Sequence, residues 1–196
     1  MELTAIFESW HIGDGNYPPL DRGQLVRLSF ELEPDGDPTA TSEVEIRFTH
    51  LGNAQYEGVG RVVGHWSRLT VLEVATGFYL YIATLTRDFD PGAYVEFRGT
   101  LALDHFAWVE NRRRFEGCPD LLVNLRVVRI RQIGVPEHFV ARTTQGKAHP
   151  TRVGSSEFGS SIVLDSMRNQ PFDEEFYVID FDGNGLAAED IPLTFQ

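Results

Sequence analysis

The chain has 196 residues, 42% of them hydrophobic and 23% charged, a balance that supports a packed core and excludes wholesale disorder. Its formal charge of −12 sets the whole-molecule field against nucleic acid and anionic membrane. A single cysteine, Cys118, excludes an intrachain disulfide, and no apolar run reaches the roughly 18 residues of a membrane span.

Read in chain order, Met1–Trp10 is weakly strand-like and carries neither a basic nor an apolar leader region. With the lone cysteine this predicts a cytoplasmic protein. Residues 13–20 are dense in glycine and proline and predict a turn. Two alternating stretches follow. Val26, Leu28, Phe30 and Leu32 interleave with Arg27, Ser29, Glu31 and Glu33, and Val44, Ile46 and Phe48 interleave with Glu43, Glu45 and Arg47. Period-2 alternation predicts half-buried strands. The polar loop Pro34–Ser42 between them suggests a hairpin whose outer face gathers Glu31, Glu33, Glu43 and Glu45. That face reads first as a solubilising edge and second as a docking face for a basic partner.

The clearest alternation lies in 54–133. Strands are predicted at Gly58–Trp66, Leu69–Val74, Phe78–Leu85, Tyr94–Asp104 and Leu121–Ile133. Gly99 falls at an inward position of the fourth, where a bulge or bend would let a sheet curl, and the alternation slips by one residue at Val127–Val128. Beyond this, short strands are predicted near Phe139–Arg142 and Ser161–Leu164, a strong one at Phe176–Phe181, and a last one at Ile191–Phe195 after the turn Asp182–Gly185. No helical periodicity of ten residues or more is present; His105–Phe115 is the best candidate for a short helix. The prediction is an all-β, single compact domain over 1–196, with an N-terminal hairpin region (1–53), a core (54–133) and C-terminal strands (134–196).

Five strands with these glycines, and a long polar loop between the last two, resemble an OB-fold, a small five-stranded Greek-key barrel, though without a helix between the third and fourth strands. An SH3-like barrel or part of a larger sandwich has much the same pattern, and in each case additional antiparallel strands extend it here. No named family is recognised. The resemblance implies that the loop between the fourth and fifth strands, with the sheet face beside it, grips single-stranded nucleic acid. The residues in question are Phe106, Trp108, Arg112, Arg113, Arg114 and Phe115 in the loop, with Arg98, Arg126, Arg129 and Arg131 on the flanking strands. Residues 98–131 hold 7 arginines against 4 acids, whereas 1–57 hold 11 acids against 3 basic groups. Three uses fit this cluster: ion pairing with the acidic remainder of the chain, a protein interface rich in Arg and Trp, and nucleic acid, in that order.

Other chemistry is thinner. Asp180, Asp182 and Asn184 match the early positions of a calcium loop, but Ile191 stands where a bidentate glutamate is needed, so a turn with solvated acids is the better reading and no metal or cofactor is expected. None of the six histidines is spaced i, i+2 or i, i+4 from another. His105 beside Asp104 is the one histidine with a carboxylate neighbour, and Cys118 is a lone loop thiol. The sequence therefore points to a non-enzymatic protein that binds another protein. Its acidic, cofactor-free composition is like that of bacterial toxin-neutralising (immunity) proteins. The alternatives are single-stranded nucleic-acid binding and a hydrolase whose groups converge only in space.

Overall fold

A computed structural model describes residues 1–13, 15, 17–83, 89–104, 107–108, 111–133, 140–144, 147–151, 161–168 and 176–184. Phe106, His105 and the strand expected at Ile191–Phe195 lie outside these. Among the described residues strands account for 61% and helix for 4%. In order the elements are β1 (Glu2–Glu8), the helical turn α1 (Trp10–Gly13), β2 (Leu25–Leu28), β3 (Phe30–Pro34), β4 (Thr39–Thr41), β5 (Arg47–Gly52), β6 (Gln55–Trp66), β7 (Leu69–Ala75), β8 (Phe78–Ala83) and β9 (Tyr94–Leu103). A 3-10 turn at Arg112–Arg114 then precedes β10 (Val123–Ile133), β11 (Val140–Thr144), β12 (Lys147–Thr151), β13 (Ser161–Leu164) and β14 (Phe176–Asp182).

Five strands close into a mixed barrel, in the cyclic order β3-β9-β6-β7-β8. Four of its pairings are antiparallel; β8 returns to β3 through the one parallel pair, Glu31 opposite Tyr81. The hydrophobic pattern dictates which face turns inward. Phe30 and Leu32 of β3, Val62 of β6, Leu72 and Val74 of β7, Leu80 and Ile82 of β8, and Val95, Phe97, Leu101 and Leu103 of β9 recur at period 2 and share one buried core.

The barrel confirms the predicted all-β architecture but not the predicted fifth strand. Leu121–Ile133 does not enter it; Phe30–Pro34 fills that place between β8 and β9. Entered at β6, the cycle is a three-strand meander, a parallel closing pair and two antiparallel pairs, the order of an OB barrel whose last strand has been moved to the front of the chain. β10 instead pairs β14 on one side and β2 and then β13 on the other, and its register shifts between Val127 and Arg129, where the sequence slips.

The predicted N-terminal hairpin is also replaced. Residues 25–34 form a stretch interrupted at Ser29: β2 joins β10, and β3 joins the barrel wall. Glu31 is consequently buried, and the four glutamates do not share one outer face. Nor does Gly99 mark a bulge, since register runs through it on both sides. It is a glycine because β3 passes too close: a Cβ there would stand 2.3 Å from the Glu33 carbonyl oxygen.

Seven further strands extend the same sheet: β4 beside β9, β5 beside β6, and the set β1, β14, β10, β2 and β13. β1 is sewn fully to β14 but joins the ladder of the barrel at a single parallel pair, Ile6 opposite Ala102. Its Thr4 N–H, turned toward β6, donates to the Tyr56 hydroxyl at 2.8 Å, which satisfies a buried strand donor that has no ladder partner.

Candidate functional site

The segment after β9 does not stand out in solvent. Trp108 and Leu121 are buried with Leu69, Val71 and Tyr81 on the outer face of β7 and β8, and Phe115, Cys118 and Trp66 pack around them. The Trp66 indole N–H donates to the Glu116 carbonyl at 2.9 Å and ties the β6–β7 turn to this cover. Burial raises the Cys118 thiol pKa, with the nearby Trp108 indole opposing and Asp120 adding to it, so the group is held as a thiol.

Beneath the cover sits a set of buried polar groups. The Tyr81 hydroxyl lies 2.6 Å from Asp104 Oδ1 and 2.9 Å from Glu31 Oε2, and the Ser29 hydroxyl donates to Asp104 Oδ2 at 2.9 Å. The Tyr17 hydroxyl donates to the Asp104 carbonyl oxygen at 2.9 Å. Burial, then Asp104 and Glu31, push the Tyr81 phenol far above its ordinary range. One phenolic proton between two carboxyl groups welds β3, β8 and the end of β9 together at the parallel seam. Asp104, Ser29 and Tyr81 have no exposed surface, so a substrate cannot reach them in this conformation.

The arginines separate into three places. Arg98 faces Asp35 at 3.5 Å, with both side chains more than half exposed. Arg113 and Arg114 are exposed on the 3-10 turn that Arg112 begins. Arg126 is exposed opposite Asp182, while Arg129 and Arg131 both bond Asp180, at 2.6 and 3.0 Å. Asp180 also accepts from the Thr4 hydroxyl at 2.9 Å. Two arginines and a threonine occupy the carboxylate that the calcium-loop reading needed. Asn184 Oδ1 accepts from the Met1 amino group, and its N–H donates to Asp182 Oδ1 at 2.8 Å, which is an Asx turn. Among the described residues no group of three His, Cys, Asp or Glu is placed to hold a metal.

Around Asp180 the surface is concave. A cleft of about 830 Å³ runs from His50 and Thr4 across Asp180 to Arg129, Val128 and Val163. A second, of about 390 Å³, is floored by Ile46, Phe48 and Val74, and the two share Glu2, Leu3 and His50. They form one trough along the seam where β1 and its partners leave the barrel. Ring stacking shapes its middle: Tyr56 lies 4.3 Å from Phe48 at 6° and 4.9 Å from His50 at 27°. Burial raises the Tyr56 phenol to about 12, and partial burial lowers the His50 imidazole, with Asp180 opposing and Arg131 reinforcing that shift.

The trough is bordered by strands that end their sheet. β5 pairs only β6, and β13 pairs only β10, among the described residues. Apolar side chains stand exposed on or beside them: Val163 at 60%, Val128 at 44%, Leu51 at 43% and Val44 at 69%. Sequence reasoning missed this site because its members come from distant segments whose adjacency depends on the register of β1, β14 and β10. What the sequence does show is period 2 on each strand taken alone, Arg129 and Arg131 on one and Asp180 and Asp182 on the other; that these strands pair is seen only in the structure.

No family model matches the chain, and no curated protein or solved structure matches it either.

Proposed function

We propose that this chain is a non-enzymatic binding protein whose partner is another protein, held along the trough between β5, β1, β14, β10 and β13. The observation that carries the reading is the pair of strand edges bordering one concave surface with apolar side chains exposed beside them. Such surfaces favour a protein that supplies the missing strand or apolar contact. The chemistry of the remaining candidates supports the same choice. The acids at Tyr81 are sealed, Asp180 is occupied by arginines, and the Cys118 thiol is not activated. A nucleic-acid grip through the arginine loop is disfavoured because Trp108, its best stacking group, is buried and the loop covers the barrel face that would meet bases.

The test is affinity capture from an extract of the source cells with the wild-type chain, with Val128→Asp/Val163→Asp, and with Arg113→Ala/Arg114→Ala. The expected result is a specific captured protein lost with the valine variant and kept with the arginine variant. Capture unchanged by the valine substitutions, or salt-sensitive binding of a fluorescent single-stranded oligonucleotide that the arginine variant loses, would overturn it.

A further inference from the structure

This inference rests on the protein-binding reading and specifies how the partner is taken. β5 is held on one side by β6, and among the described residues no strand pairs with its other side. Four of its six residues are exposed. An open edge of this kind presents unpaired N–H and C=O groups that an extended chain can satisfy.

The two faces of β5 differ in chemistry. On one, Phe48 and His50 stack with Tyr56 at the apolar cleft floored by Ile46 and Val74. On the other, Thr49 lies opposite Glu57 of β6, next to exposed Leu51. Acids dominate the exposed surroundings: Glu2, Glu45 and Glu57 are exposed, and the nearby cations Arg47, Arg129 and Arg131 are already paired, the first with Glu43 and the other two with Asp180. A second copy of the chain would bring its own Glu45 and Glu57 against these, and like charges across strands repel.

We propose that β5 receives an extended, basic segment of the partner protein as an added strand. Main-chain hydrogen bonds to Arg47–Gly52 supply affinity. Alternate residues of the segment are apolar and enter the cleft at Phe48; those between them are Lys or Arg and face Glu45 and Glu57. The recognised sequence is therefore a period-2 mixture of apolar and basic residues.

A displayed library of random seven-residue peptides, selected against the full chain, tests this. The expected result is enrichment of peptides alternating Lys or Arg with Val, Ile or Phe. A synthetic copy of the best one should protect the amides of 47–52 from hydrogen exchange. It should bind Glu45→Lys/Glu57→Lys about tenfold more weakly at low salt, the scale of a few exposed charge contacts. Both positions are exposed, so the fold is spared, which unchanged circular dichroism would verify. No enrichment, acidic or non-alternating peptides, protection on β13 instead, or unchanged binding to the double variant would each overturn the proposal. If these fail while Val128→Asp/Val163→Asp still abolishes capture, strand addition at β5 falls and the protein-binding reading stands; if capture is also insensitive, both fall.

Discussion

Gly99→Ala probes the closure of the barrel with a single methyl group. The new Cβ would stand 2.3 Å from the Glu33 carbonyl oxygen, 2.8 Å from Pro34 Cα and 2.9 Å from the Glu33 carbonyl carbon. Carbon contacts settle at about 3.5–4.0 Å, so β3 must retreat from β9 by about 1 Å. That retreat is resisted on both sides. β3 is paired to β9 through five residues and to β8 at Glu31, and Phe30 and Leu32 are fully buried. Overpacking of this kind costs about 1–3 kcal/mol, and alanine recovers about 0.4–1 kcal/mol by narrowing the unfolded ensemble, so a net loss of about 1 kcal/mol is expected. Gly36→Ala is the matched control, because nothing lies within 4 Å of its Cβ and its backbone is not left-handed. Urea denaturation followed by circular dichroism compares them: Gly99→Ala should lower the midpoint with m unchanged, and Gly36→Ala should not. A Gly99→Ala midpoint within error of wild type would refute the close approach of β3 and, with it, the closure of the barrel.

Four further outcomes follow from the same contacts. Trp108→Ala empties the cover over β7 and β8 and should cost about 3–5 kcal/mol in chemical denaturation. Tyr81→Phe removes the hydroxyl shared by Asp104 and Glu31 and should destabilise by about 1–3 kcal/mol, with far-ultraviolet circular dichroism retained. Asp180→Ala removes the carboxylate that holds Arg131, whose side chain is only 20% exposed, and should cost about 3 kcal/mol, more than Asp35→Ala beside exposed Arg98. His50 should titrate by NMR below its ordinary 6.5, because burial, the largest cause, disfavours the imidazolium. Its folded pKa is lowered, so its contribution to stability is full above the unfolded pKa and is lost as pH falls through the folded one; His50→Asn should flatten that acid-side loss.

The alternation that begins at Tyr94 was legible because the first half of β9 has one buried face, and burial writes period 2 into the residues; Gly58–Trp66 was also read as a strand and lies within β6. The bulge in β10 was legible for the same reason: an extra residue breaks the phase. Pairing partners were not. Val26–Glu33 alternates throughout, and nothing in that pattern says that the chain changes partner at Ser29, from β10 to β9. Glu31 was misplaced accordingly. Counted along one strand it faces outward with Glu33, but the wall beyond it is covered by Tyr81 and Asp104. Trp108 posed the opposite problem, since a tryptophan among arginines in a loop looks like a stacking platform until the loop is seen to fold back on the barrel.

The altered strand order accounts for where the trough lies. A barrel whose last strand follows its fourth must use the intervening loop to cross from one to the other. Here the barrel is already complete at Leu103, because β3 was laid down first. The next segment has no crossing to make, and Trp108 and Leu121 carry it over the outer face of β7 and β8 on its way to β10. That face becomes core. The strands that remain, β1, β14 and β10, must then attach at the far side of β9, where β1 meets it at one residue pair and Tyr56 caps the donor left over. The two parts share one core but only one ladder pair there, and the seam between them is concave, lined by Glu2, Thr4, Asp180 and Asp182 and flanked by β5 and β13, which have no second strand partner among the described residues. The concavity at which a partner is proposed to dock is thus a consequence of closing the barrel early.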